Sequence, residues 1–181
     1  MKEFQKGQRI KTASGSELEV LEKLGEGGQG IVYRVNYNGR QLALKWYFGN
    51  KLSNADKFYR NIQNNIKQGA PTSSFLWPLE ITEYFEGSFG YLMELRPPEF
   101  KDFSLFLLAK ARFASIDALI NAALSITNGF RELHRSGFSY QDLNDGNFFV
   151  NPKTGDVLIC DNDNVAPYGE NLGIAGKCRY M

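Results

Sequence analysis

The feature that most constrains this 181-residue chain is the spacing of three oxygen-bearing side chains near its C-terminal end. Asp142 is followed five positions later by Asn147, and then by the strand-like pair Phe148-Phe149. A turn across Pro152 to Gly155 and an apolar run from Val157 to Cys160 lead on to Asp161. A hairpin placed between Asn147 and Asp161 returns the chain to where it started. Carboxylates and amide oxygens are the donors that hard divalent cations take.

Composition sets wide bounds. Hydrophobic residues make up 43% and charged residues 23%, ordinary for a globular protein with a core of its own. The net charge of +1 gives no electrostatic case for nucleic acid or a membrane surface as the main partner. The N-terminal run MKEFQKGQRIK has no apolar core that suits a signal peptide. No stretch approaches the roughly 18 apolar residues of a membrane span. Cys160 and Cys178 have no metal-ligand spacing, and two reduced thiols fit a cytoplasmic location.

Pattern divides the chain in two. Residues 1 to 16 are polar, a short lead-in strand or a loose end. Leu18, Val20 and Leu24 precede Gly25, and Ile31 to Tyr37 follow the glycines. Asn38-Gly39 is a hairpin turn of type I′, and Leu42-Ala43-Leu44 gives the next strand. Residues 54 to 68 predict a polar helix capped by Asn54 or Ser53, with Phe58, Ile62 and Ile66 on one face and a stop at Gly69-Ala70-Pro71. Strands over Leu79 to Phe85 and Phe89 to Glu94, joined at Glu86-Gly87-Ser88, complete five. Arg96-Pro97-Pro98 breaks the pattern. Beyond it come a short helix over 103 to 110 and a long one over 116 to 135. In the long helix Ile116, Leu119, Ile120, Ala123, Ile126, Phe130 and Leu133 keep a 3.6-residue period. Ser115 suits its N-cap and Gly137 its stop.

Gly25, Gly27 and Gly30 spell G-x-G-x-x-G, with Val32 two places on. The pattern alone is also what a plain turn gives. A dinucleotide-binding version would be followed by a helix, whereas here a strand follows. Missing side chains let backbone N–H groups approach phosphate oxygens. Lys45, after Leu42-Ala43-Leu44, is in isolation an ordinary solvated strand end, and Met93-Glu94-Leu95 an ordinary strand end before the Pro-Pro break. His134, the only histidine, has no nucleophile or metal cluster around it and reads as structural or solvated.

Together these motifs resemble a eukaryotic-like Ser/Thr protein kinase of bacterial type, from about Val20 to Met181. Strand–loop–strand around G-x-G-x-x-G, Lys45 in an x-A-x-K element, D-L-x-x-x-N at Asp142 to Asn147, and Asp161 stand in the family's order. The final Gly176-Lys177-Cys178-Arg179-Tyr180-Met181 resembles the run that precedes A-P-E, so the chain reads as a kinase truncated just before that motif. The resemblance implies an α+β protein kinase-like fold. Residues 1–95 would form the ATP-binding N-lobe, a five-stranded antiparallel sheet with one helix. Residues 96–181 would form the hinge and an incomplete helical C-lobe. It implies ATP and Mg2+ as cofactors, with nucleotide in the cleft. Gly25, Gly27, Gly30, Val32, Ala43, Lys45, Met93, Glu94 and Leu95 would bind nucleotide. Asp142, Lys45 and Asn147 would be catalytic, and Asn147 and Asp161 would hold metal.

Several positions depart from the family. No glutamate lies between Lys51 and Gln68 to pair with Lys45; Asn61 is near the expected place. H-R-D reads Tyr140-Gln141-Asp142, which leaves Tyr140 a packing role and removes the arginine that clamps a phosphorylated segment. No Ser or Thr occurs between Asp161 and Met181, so switching by Ser/Thr phosphorylation there is not expected. Asp161-Asn162-Asp163 replaces D-F-G, predicting a less mobile motif, with Asp163 a solvated carboxylate. Asn144 stands where many relatives carry a phosphate-contacting lysine. The implied function is transfer of the ATP γ-phosphate to Ser or Thr of a protein substrate. The alternatives are a pseudokinase or a nucleotide- or partner-binding module without transfer, and then a small-molecule kinase. With C-terminal helices missing, an apolar face of the long helix is expected to lack its cover and to favour self-association.

Overall fold

The protein, seen here as a computed structural model, is described over residues 3–52 and 54–173. Ser53, the alternative helix cap, and the run from Gly176 to Met181 with Cys178 and Tyr180 lie outside the described residues. The chain divides into two compact units. One runs to Gly69 and resumes over Pro78–Leu95; the other takes Ala70–Trp77 and the chain from Arg96 onward.

The first unit is built on an antiparallel sheet in the order β1-β2-β3-β4-β6-β5. Its strands are β1 (Arg9–Lys11), β2 (Glu17–Glu26), β3 (Gly30–Tyr37), β4 (Arg40–Tyr47), β5 (Glu80–Ile81) and β6 (Gly90–Met93). The sheet thus has six strands rather than five, because Ile10 on β1 buries itself against the sheet. Asn38 and Gly39 turn from β3 to β4 with φ of 51° and 79°, the left-handed pair that a type I′ turn requires. Strand alternation sorts the side chains. Ile31, Tyr33, Val35, Leu42, Leu44, Trp46 and Leu92 fill one core with Ile10, Leu18 and Val20. Burying each such large side chain contributes about 1.5–3 kcal/mol.

Helix α1 (Ala55–Gln68) covers the other sheet face. The Asn54 side chain accepts from Lys57 N, and Gly69 ends the helix with φ of 76°. Phe58 meets the Tyr47 ring edge-on at 5.3 Å. The inward row is Phe58, Asn61, Ile62 and Asn65, with Ile66 only half-buried, so the helix buries two amides with its apolar anchors.

Among the described residues, the second unit holds two small antiparallel sheets and two α-helices. Strands β9 (Phe148–Val150) and β10 (Val157–Ile159) form the expected hairpin, joined by β7 (Lys101–Asp102). Strand β8 (Phe138–Tyr140) pairs with β11 (Val165–Pro167). Phe75 bridges alongside Ile159, which brings residues 70–77 into this unit. Helix α2 (Ser104–Leu107) is shorter than the 103–110 expected, while α3 (Ile116–Arg135) has the expected bounds and Ser115 cap.

The inward face of α3 is only partly the expected row. Leu133 is buried and Ile126 and Phe130 pack against the core, joined by the buried Ala118, Ala122 and Gly129, whereas Ile116, Leu119, Ile120 and Leu124 are 45–69% exposed. Close approach explains the choice. A Cβ on Gly155 would lie 2.1 Å from the Ala118 carbonyl oxygen, and one on Gly129 would lie 3.5 Å from both Ile159 and Phe75. The backbones come nearest where Gly155 meets Ala118, so small residues face the hairpin there, while at Gly129 the side chains of Ile159 and Phe75 take up the space.

Gly30 is held by the same kind of constraint. It sits in β3 opposite Tyr47, and a Cβ there would fall 2.0 Å from the Trp46 carbonyl oxygen. Gly25 and Gly27 have nothing within 4 Å of that position. Gly30→Ala is therefore expected to destabilise the protein by about 3 kcal/mol or more, and Gly27→Ala by no more than about 0.5 kcal/mol. Urea denaturation midpoints of the two variants check this.

Candidate active site

The first unit groups its candidate residues by cross-strand register. Gly25 pairs with Val32, Val32 with Lys45, and Ala43 with Met93. Directly opposed residues share a face, so Val32, Ala43, Lys45 and Met93 all lie on the side that α1 covers, away from the main core. Lys45 does not end its strand. Trp46 and Tyr47 continue β4, and Lys45 is 6% exposed with its Nζ 5.6 Å from the Tyr47 ring centre. A solvated strand end is thereby corrected to a buried ammonium, which is costly unless something anionic or polar meets it. Gly25, Gly27 and Gly30 fall on and between β2 and β3, and Gly27 N donates to Gly30 O at 2.9 Å across that loop. Glu94 and Leu95 follow β6. The Glu94 carboxylate turns outward to Arg40 at 2.5 Å.

The second unit brings Asp142, Asn147 and Asp161 onto adjoining loops. A one-turn 3-10 helix over Asp145–Asn147 leads directly into β9. Asn144 caps that turn, accepting from Gly146 N at 3.0 Å and donating to Asp142 O at 3.1 Å. It is 5% exposed, and both ends of its amide serve the loop rather than pointing outward as a phosphate contact would. Asn147 Nδ2 donates to Asp142 O at 2.8 Å and approaches Asp142 Oδ2 at 3.4 Å. Committing the nitrogen to Asp142 turns Oδ1 the other way.

Asp161 is fixed to the same loop through its neighbour. Cys160 N donates to Asn147 O at 2.8 Å, and the Tyr140 hydroxyl donates to Cys160 O at 2.6 Å. Asp161 then takes a left-handed backbone, φ 52° and ψ 43°, uncommon for a residue with a Cβ. Asn162 follows it and is fully buried. Its Nδ2 donates to Leu76 O and Ile159 O, both at 2.8 Å. That is a polar anchor where an apolar one was absent. Asp163 is fully buried too, correcting the solvated carboxylate expected of it. The Cys160 thiol is half-buried, and His134 is exposed on α3.

Sequence reasoning gave Tyr140 only a packing role and found no task for Asn162. The missed signal was chemical: a hydroxyl and an amide inside otherwise apolar elements, each needing a partner once buried. Burial, with the Asp161 and Asp163 carboxylates adding to it, holds the Tyr140 hydroxyl well above its ordinary value.

Asn147 and Asp161 offer oxygen donors of the kind Mg2+ prefers, so the donor chemistry fits that ion. Among the described residues no cluster of three His, Cys, Asp or Glu side chains competes as a metal site. None of the described helices is long and apolar enough to cross a membrane.

No protein-family model matches this chain, and no curated protein does either. Solved structures do. The kinase domain of Mycobacterium tuberculosis PknI is similar at 19% identity and a TM-score of 0.64, over 89% of this chain and 62% of that one. Vaccinia related kinase 3 is similar at 14% identity and a TM-score of 0.66, over 93% of this chain and 54% of that one. The fold is protein kinase-like, and the chain spans less than two thirds of the length of either structure.

The Tyr140 hydroxyl can be tested alone. Tyr140→Phe leaves the Cys160 carbonyl without this donor and is expected to cost about 1–2 kcal/mol of stability. The folded state keeps the phenolic proton where the unfolded state releases it. This contribution is complete below pH 10, the ordinary tyrosine value, and is lost as pH rises through the higher folded value. Tyr33, Tyr59 and Tyr84 are shifted the same way and remain in both proteins. Unfolding measured from pH 8 upward should show the wild-type advantage over Tyr140→Phe shrinking above about pH 10.

Proposed function

We propose that this chain is the catalytic part of an ATP- and Mg2+-dependent protein kinase acting on Ser or Thr hydroxyls. The observation that carries the proposal is the bonded loop in which Asn147 Nδ2 meets Asp142, with Asp161 held one residue beyond the Cys160-to-Asn147 hydrogen bond. A base and two oxygen donors on adjoining loops are what phosphoryl transfer asks of a protein, since positioning and charge neutralisation outweigh covalent chemistry there. ATP with Mg2+ supplies the phosphoryl group and spreads its charge. Asp142 orients the acceptor hydroxyl and takes its proton. Asn147 and Asp161 hold the metal through oxygen. Lys45, a buried cation, meets phosphate oxygens, and the uncrowded Gly25 and Gly27 let backbone N–H groups approach them. Val32, Ala43 and Met93 offer an apolar surface to the base, and the backbone beyond Met93, at Glu94 and Leu95, offers hydrogen bonds.

A second reading, nucleotide binding without transfer, is favoured by two residues. Asn61 on the buried face of α1 brings a neutral amide where an acidic partner for Lys45 was sought. Asn144 is turned into its own loop, so Asp142 has no cation beside it at that position.

Transfer of labelled phosphate from ATP to a generic protein acceptor separates the two. Wild-type protein is expected to transfer, and Asp142→Asn to lose about 10²–10⁴-fold in kcat while still binding Mg-ATP. Mg-dependent ATP binding with no transfer by the wild type selects the second reading, and no binding at all sinks both.

A further inference from the structure

Gln141 stands next to Asp142, yet its side chain reaches the chain well beyond Asp161. Its Nε2 donates to Glu170 O at 2.6 Å, and its Oε1 accepts from Leu172 N at 3.0 Å. Its own backbone N–H donates to Asn164 O at 2.9 Å. One residue thus joins the Asp142 loop to three points of the following segment. The segment is also held at its near end, where Tyr168 N donates to Gly137 O and Glu170 N to Pro167 O.

The chemistry of this contact is selective. It needs a donor and an acceptor at the tip of one side chain, of a length that reaches two backbone groups two residues apart. A primary amide has both, whereas a guanidinium has no acceptor and a carboxylate no donor. The amide is neutral at any physiological pH and asks for no charged partner. It bonds directly to backbone, so its hold does not depend on which side chains occupy 170 to 172. No Ser or Thr follows Asp161 in the sequence.

We propose that Gln141 is a positioning residue that pins residues 170–172 against the loop presenting Asp142. That stretch then makes one wall of the place where the acceptor hydroxyl docks, set without phosphorylation. The assignment of the wall rests on the reading of Asp142 as the base; the clamp itself does not.

The test uses the whole chain and two variants, Gln141→Leu, which keeps the bulk and removes both bonds, and Gln141→Glu, which keeps an acceptor for Leu172 and removes the donor to Glu170. Amide hydrogen exchange at Leu172 reports the clamp. Gln141→Leu should speed exchange there about tenfold or more, and Gln141→Glu distinctly less, with amides of the β9–β10 hairpin unchanged. Kinetics report the wall. Both variants should raise KM for the protein acceptor about tenfold, with KM for ATP and the Mg2+ dependence unchanged. Leu172 exchange unaltered by Gln141→Leu overturns the clamp. A rise in KM for ATP equal to that for the acceptor overturns the wall, because it signals general loosening. If Gln141→Leu does not fold, Gln141→Glu decides alone. Raised acceptor KM with Leu172 still protected supports the proposal, and unchanged acceptor KM overturns it. If the wild type transfers no phosphate, the reading of Asp142 fails, and Leu172 exchange alone upholds or overturns the clamp.

Discussion

The second unit depends on a single residue, Cys160, gripped by both of its backbone polar groups. The Cys160 N–H is taken by the Asn147 carbonyl and the Cys160 carbonyl by the Tyr140 hydroxyl. With both polar groups satisfied by one loop, the next residue has little freedom, and Asp161 can be kept in a left-handed conformation that its Cβ would otherwise disfavour. Asn162 completes the hold by bonding two carbonyls from different segments. The backbone at Asp161 is therefore fixed by the hydrogen bonds of the residues on either side of it.

Much of the architecture was legible because it follows from local rules. The bounds of α3, the Asn38-Gly39 turn and the β9–β10 hairpin all rest on periodicity and turn chemistry within a few residues. Which part of the apolar row of α3 packs inward was not legible. Periodicity marks where apolar residues recur, but it does not tell a face that packs from one left exposed. Gly129 and Ala118 were decided by the approach of Phe75, Ile159 and Gly155, distant in sequence. Strand β1 was legible only as one of two alternatives, a lead-in strand or a loose end, since a three-residue polar strand with one buried isoleucine has no periodic signal of its own.

The candidate site divides in the same way. The order and spacing of Asp142, Asn147 and Asp161 could be read directly, because a loop motif is short and its residue types are chemically specific. The burial of Asp163, the interior place of Lys45 and the inward turn of Asn144 could not, because each depends on what packs around it. Asn144 did carry a local hint. An asparagine two residues before a glycine often caps a turn with its own side chain.

The buried polar residues described here are mostly amides: Asn61 and Asn65 on α1, Asn144 and Asn147 in the loop, and Asn162 and Asn164 after Asp161. An amide bonds through dipoles, which mobile ions do not screen as they screen separated charges. The hydrogen bonds that Asn144, Asn147 and Asn162 make should accordingly persist from dilute buffer to molar salt. A scaffold braced by ion pairs would slacken over that range.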